Sequence, residues 1–237
     1  GFAEADPTAD VEGLDVQAKI ALLTNLAYGR VVPTETIPTA GISSVASIDF
    51  EYAKMLKSTI KLVGCAAIDP KTSSLAVYVS PMIVPLNSPL ASAKGPGNMV
   101  LINSYNNTQS ILAGPGAGRY PTANSVVNDL LRLSLDQVPK AFPLSNDITL
   151  DNNYDGEFYV RVNCADRLGI IKQVGQAAEG AGVSIHAVLQ NPIESYDNFN
   201  FVVTTETCKL SEVQAFAQAL EGCEFTLASP MVMPLMK

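Results

Sequence analysis

Apolar residues recur at Val16, Ile20, Leu23 and Ala27, the spacing of one helical face, with Asp15 placed to cap the start and Gly29 to end it. Residues 50–60 repeat this spacing more weakly. The β-rich runs 60–67 and 75–80, on either side of Asp69-Pro70, predict paired strands across a turn, and further strands are expected over 82–85, 98–104 and 110–113. Gly114-Pro115-Gly116-Ala117-Gly118 then reads as a loop of minimal side chains, followed by a helix over 122–133. Residues 136–155 carry Pro139, Pro143 and several Asn and Asp without sustained periodicity, which marks a linker.

Beyond the linker the pattern predicts a strand over 158–162, then a helix over 169–179 with Ile170, Val174 and Ala177 on one face. Strands over 183–189 and 200–205 come next. A helix over 211–220, opened by a Ser211/Gln214 capping box, and a strand over 225–233 complete the order. The fold class expected is α+β: a mixed-sheet domain with flanking helices over 1–137, a linker over 138–156, and a ferredoxin-like βαββαβ unit over 157–237.

Composition narrows the function classes. Of 237 residues 47% are hydrophobic and only 16% charged, enough to bury a substantial core. The net charge of −8 and the lack of clustered Lys and Arg argue against nucleic acid as a partner. No apolar run approaches the ~20 residues of a bilayer span, and the acidic opening segment is unlike a signal peptide, so a cytoplasmic protein is expected, or a stromal one in a eukaryote. The four cysteines show no C-x-x-C spacing and only His186 could join them in a soft metal site, so reduced thiols and no metal are expected. His186 reads as an ordinary surface or interface histidine, and Tyr105, Tyr120 and Tyr196 form no stacking pattern.

The chemistry-bearing residues gather at the start. Glu4, Asp6, Asp10 and Glu12 lie in a loop stiffened by Pro7, and Asp15 and Lys19, four positions apart, share one face of the first helix. Lys19 borders the apolar stripe and is expected to be half buried. On spacing alone the pair reads as a surface ion pair worth ~0.3–0.5 kcal/mol. On composition alone, residues 114–118 read as a tight structural turn.

The string Gly1-Phe2-Ala3-Glu4-Ala5-Asp6-Pro7-Thr8-Ala9-Asp10-Val11-Glu12-Gly13-Leu14-Asp15-Val16-Gln17-Ala18-Lys19 resembles the central signature of homoserine dehydrogenases. Gly114 to Gly118, with Pro121-Thr122-Ala123 and Val126-Val127-Asn128-Asp129, resembles the late glycine loop of that family and the helix after it. The resemblance implies interconversion of L-homoserine and L-aspartate 4-semialdehyde with NAD or NADP. In that scheme Lys19 is the proton donor and acceptor, Asp15 orients the lysine and substrate, and Glu4 holds the substrate ammonium, with Asp10 a second candidate for that cation. It also implies cofactor contacts near Gly1 and at Gly116, with Gly114 and Gly118 beside it. The family's nucleotide-binding half carries a second lysine and a dinucleotide fingerprint. Neither occurs in these residues, so the isolated chain is expected to lack turnover.

Asn163-Cys164-Ala165-Asp166-Arg167-Leu168-Gly169-Ile170, followed by Gly182-Val183-Ser184-Ile185, resembles an ACT domain, the amino-acid-binding module of biosynthetic enzymes. That resemblance implies an effector, L-threonine, held at Asp166, Leu168 and Gly169 and the start of the following helix. Leu168 stands where the family usually has proline, a loss of loop rigidity. A domain serving only assembly fits the same residues, and a homo-oligomer, dimer or tetramer, is expected in either case. Two rivals to the dehydrogenase remain: a non-catalytic amino-acid-binding or assembly module, and another biosynthetic enzyme bearing an ACT module.

Overall fold

The computed structural model describes residues 6–95, 97–106, 108–137, 144, 147–192 and 195–236. A short helix, α1 (Thr8–Val11), leads into α2 (Leu14–Tyr28), and α3 (Ser47–Met55) follows after an extended segment. The long strands β1 (Ser58–Asp69) and β2 (Ser74–Pro85) form an antiparallel pair in unbroken register, Ser58 opposite Pro85 and Asp69 opposite Ser74. The strand expected at 82–85 is therefore the continuation of β2 and not a separate element. The hairpin β3 (Gly97–Asn103) and β4 (Gln109–Pro115) comes next, then α4 (Arg119–Ser134) and the two-residue β5 (Thr149–Leu150).

The second half runs β6 (Asp155–Cys164), α5 (Ile170–Ala181), β7 (Ile185–Gln190), β8 (Phe199–Thr205), the short β9 (Cys208–Lys209), α6 (Leu210–Glu221) and β10 (Thr226–Leu235). The halves share one mixed sheet of order β1-β2-β10-β6-β8-β7, with β5 beside β2 and β9 beside β6. Strands β2 and β10 are parallel neighbours, joined where Met236 N–H donates to the Ile83 carbonyl at 2.9 Å. The chain therefore has a mixed α+β architecture.

Helices α2 and α3 cover one face of the sheet, α5 and α6 the other. Ile20 packs with Leu75, Val77 and Val79 beneath α2. Tyr52 and Ala53 of α3 pack with Ile83 of β2, Tyr159 of β6, Val202 of β8 and Met233 of β10, so this core belongs to both halves. On the other face Phe158, Val160 and Val162 meet Val174, Phe216 and Leu220. The alternation along β6 explains the division: even-numbered side chains face α5 and α6, while Tyr159 and Arg161 face α3.

Several boundaries depart from the pattern reading. The inward face of α2 is Ile20 and Thr24 with Val16, while Leu23 and Ala27 lie toward water. Its cap is Gly13, at φ 79, in place of Asp15, which falls in the first turn. Positive φ suits glycine. A Cβ there would in addition lie 3.2 Å from Val79 Cγ1 and 3.3 Å from the Thr39 methyl. The weak helix expected over 50–60 sits earlier, because Ser58 already pairs in β1. Helix α6 is opened by Lys209 N–H donating to Glu212 Oε2 at 2.7 Å, not by a Ser211/Gln214 box. Part of the expected linker is ordered against β2, where Asn152 Oδ1 accepts from Val77 N–H at 2.7 Å. Among the described residues no helix is long and apolar enough to cross a membrane.

Candidate active site

Helix α2 presents Asp15 and Lys19 one turn apart, and the Lys19 amine donates to Asp15 Oδ2 at 2.6 Å. The side chains are 45% and 47% exposed respectively, so this pair adds at most ~1 kcal/mol to stability. At 100° per residue, Asp15, Lys19, Leu22 and Leu26 fall on a single stripe, and Leu22 and Leu26 are 69% and 53% exposed. The Asp15–Lys19 pair thus stands at the end of an uncovered apolar stripe.

Four hydrogen bonds fix this helix to the sheet. Gln17 Nε2 donates to the Thr39 hydroxyl at 2.9 Å and to the Ile37 carbonyl at 3.2 Å. The strap carrying Thr39 pairs with β2, since Val79 N–H donates to Pro38 O and Ala40 N–H to Val79 O, each at 2.9 Å. Below α2, Gly64 of β1 lies so close that a Cβ there would stand 3.0 Å from Ile20 Cβ and Val16 Cγ1. The rigid placement of Asp15 and Lys19 thus rests on contacts spread over sixty positions of sequence.

Of the other candidate residues, Asp10 lies on exposed α1, just before the elbow into α2. Gly1 and Glu4 fall outside the described residues. Gly114 and Pro115 are the last two residues of β4 instead of belonging to a loop, and Gly116 lies where a Cβ would overlap the Asn98 side chain. Gly118, at φ 116, immediately precedes α4. Among the described residues the hairpin bearing this glycine run contains no buried one, and α4 exposes Val126, Val127, Leu130, Leu131 and Leu133.

Asp166, Leu168 and Gly169 all line a cavity of about 350 Å³ on the second half. Its walls include Val188, Phe199 and Phe201, with Arg167, Lys172 and Gln190 as polar members. Leu168 is fully exposed at its rim, and Gly169 precedes α5. A second cavity, of about 230 Å³, lies between the strap at Pro38–Ala40 and Gln214 of α6, walled by Tyr78 and Tyr154 stacked at 4.2 Å. Burial holds both phenols above their ordinary range, Tyr154 at about 12. Among the described residues no group of three or more His, Cys, Asp or Glu side chains is placed to hold a metal ion.

Sequence reading found the Asp15–Lys19 pair because its spacing is local. It missed Gln17, Thr39 and Gly64, whose only signals are a polar residue beside an apolar stripe and a glycine within a strand.

The family model for homoserine dehydrogenase matches residues 1–131. A homoserine dehydrogenase of Bacillus subtilis is 31% identical over 232 residues, covering 94% of this chain and 53% of that protein. Another, from Synechocystis sp., is 35% identical over 204 residues, covering 80% and 47%. The crystal structure of a homoserine dehydrogenase from Thiobacillus denitrificans superposes with a TM-score of 0.87 at 26% identity, covering 99% of this chain and 55% of that one. The chain spans about half the length of the curated relatives it matches. With its signature helix built into the same fold, this chain belongs to the homoserine dehydrogenase family.

Proposed function

We propose that residues 1–137 are the substrate-binding and oligomerisation part of an NAD(P)-dependent homoserine dehydrogenase, and that 157–237 form an amino-acid-sensing ACT domain joined to it by residues 138–156. The observation that carries the reading is the Lys19–Asp15 bond at the end of an open apolar stripe, on a helix inside the family match. Lys19 takes the hydroxyl proton of L-homoserine during oxidation and returns it to the carbonyl oxygen of L-aspartate 4-semialdehyde during reduction. Asp15 holds the amine toward that oxygen. Asp10, with Glu4, receives the substrate ammonium, so the ligand is gripped at both ends.

NAD or NADP supplies the hydride acceptor when bound. Residues 114–118 suit such a group: Gly114 and Gly116 carry no side chains, and the open backbone at Gly114 allows close approach. Gly118 and Gly1 complete the proposed contacts. The nucleotide-binding part belongs to the share of the relatives' length that this chain does not span. The uncovered apolar face of α4, directly after the glycine run, is where it docks. The homo-oligomer is proposed on the family resemblance.

The cavity at Asp166, Leu168 and Gly169 suits a small amino acid such as L-threonine: the N-terminus of α5, Arg167 and Lys172 favour its carboxylate, and Asp166 its ammonium. The open Asp15–Lys19 pair equally favours a second reading of this chain alone, as a module that binds amino acids without turnover. In the full-length gene product, Lys19→Ala should abolish turnover with melting temperature retained; near-normal homoserine oxidation would overturn the dehydrogenase assignment. Residues 1–237 alone should show no turnover, and the module reading predicts a threonine-dependent rise in melting temperature that cofactor does not produce.

A further inference from the structure

We infer that Gly41 and Ser43 are positioning residues which clamp the acidic loop and thereby set the spacing between the ammonium-binding and proton-transfer ends of the substrate site; the inference rests on the reading given above.

The loop around α1 carries Asp10, whereas α2 carries Asp15 and Lys19, and the two join at the elbow Glu12-Gly13. A substrate gripped at both ends therefore reads the angle of that elbow. One strap holds both sides of it. Thr39 and the Ile37 carbonyl fix Gln17 on α2. Three to six residues further on, Ile42 N–H donates to the Val11 carbonyl at 2.8 Å, and the Ser43 hydroxyl donates to Glu12 Oε1.

Gly41 makes the contact close. A Cβ there would fall against the Val11 carbonyl oxygen and 2.6 Å from Glu12 Cα, both backbone atoms that cannot rotate away. Gly41 is not among the glycines of positive φ, so its requirement is proximity and not backbone conformation. The strap is itself pinned to β2 at Val79, which makes it the fixed member and the acidic loop the member that is positioned. Glu12 is thereby assigned to holding the loop, which separates it from the ligand-facing carboxylates.

The test uses the full-length gene product and four variants: Gly41→Ala, Ser43→Ala, Ser43→Thr and Lys19→Ala. Ser43→Ala should raise KM for L-homoserine about five- to tenfold, the worth of one ordinary solvent-exposed hydrogen bond, with KM for the nicotinamide cofactor and the melting temperature unchanged. Ser43→Thr, which keeps the hydroxyl, should restore it. Gly41→Ala should do more than Ser43→Ala and should lower kcat as well, because it displaces backbone. Unchanged homoserine KM in both Gly41→Ala and Ser43→Ala, with Lys19→Ala inactive, would overturn the clamp and leave the site assignment standing. A joint rise of both KM values together with a fall in melting temperature would overturn it as well, marking a merely structural contact. Activity retained in Lys19→Ala would overturn the site reading and the clamp with it.

Discussion

The Tyr159 hydroxyl donates to Asp49 Oδ1 at 2.7 Å, tying strand β6 to helix α3 across 110 positions of sequence. Asp49 is fully buried and also accepts from Ala46 N–H at 2.8 Å, while Arg161 Nε stands 2.8 Å from the same carboxylate. Burial and the neighbouring carboxylate hold the Tyr159 phenol far above its usual range, so it remains a donor at every physiological pH. Nearby, Tyr52 donates to the Asn200 carbonyl at 2.6 Å. Helix α3 is thus fastened to the second half by polar groups as well as by packing.

Removing one member of this network should be unequal in effect. Tyr159→Phe leaves Asp49 its other partners and should cost about 1–2 kcal/mol. Asp49→Ala strands Arg161, whose side chain is only 16% exposed, and should cost about 3–5 kcal/mol. Urea unfolding measures both, and equal losses would contradict the assignment of Asp49 as the centre.

Gly64→Ala places a methyl 3.0 Å from Ile20 Cβ and Val16 Cγ1, so these neighbours on α2 must give by a few tenths of an ångström. Overpacking of this kind should lower stability by about 1–3 kcal/mol. Because Lys19 and Asp15 ride on the same helix, turnover of the full-length enzyme should fall too. Lowered stability with full turnover would show that the helix absorbs the shift elsewhere.

The imidazole of His186, the one histidine in the sequence, donates from Nδ1 to Glu206 Oε1 over 2.8 Å, and that contact raises its pKa above 6.5. A group raised on folding adds stability that is fully present below its unfolded pKa and is lost as pH rises through its folded value. The pair is solvent-exposed, so the stability change should be slight while the titration itself is clear. A proton NMR titration should place the midpoint above 6.5, and Glu206→Gln should bring it down; the same midpoint in both proteins would rule the contact out in solution.

Burial, with Asp166 nearby, pushes the Cys164 thiol up to about 12, leaving roughly one thiolate in ten thousand at pH 8. Cys223, partly exposed, is raised by burial alone. Alkylation of the folded protein at pH 8 should therefore label Cys223 before Cys164, with Cys164 reacting only on unfolding. Intact-mass and peptide mapping decides this, and early labelling of Cys164 would mean that the α5–β6 core opens readily.

What the sequence made legible was local. The period of α2, the turn between β1 and β2, and the strand and helix order of the second half all follow from spacing within a window of a dozen residues, as does the meeting of Asp15 with Lys19. What it hid was set by distant partners. Nothing near Asp49 announces Tyr159 or Arg161, and nothing near Gly41 announces Val11. The inward face of α2 shifted from Leu23 to Thr24 because β1 and β2, not the helix's own hydropathy, decide which side is covered. For the same reason the strand boundary at Ser58 truncated a helix whose pattern continued to 60.

Strand β10 sits between β2 and β6, yet it leaves the ribosome after every other strand of that sheet. Until it arrives, the β6 edge that it covers and the Ile83 end of β2, in opposite halves of the nascent chain, lie open, each a template for the wrong neighbour. Synthesis of this polypeptide therefore passes through a window in which chaperone cover matters, and that window closes with a single late strand.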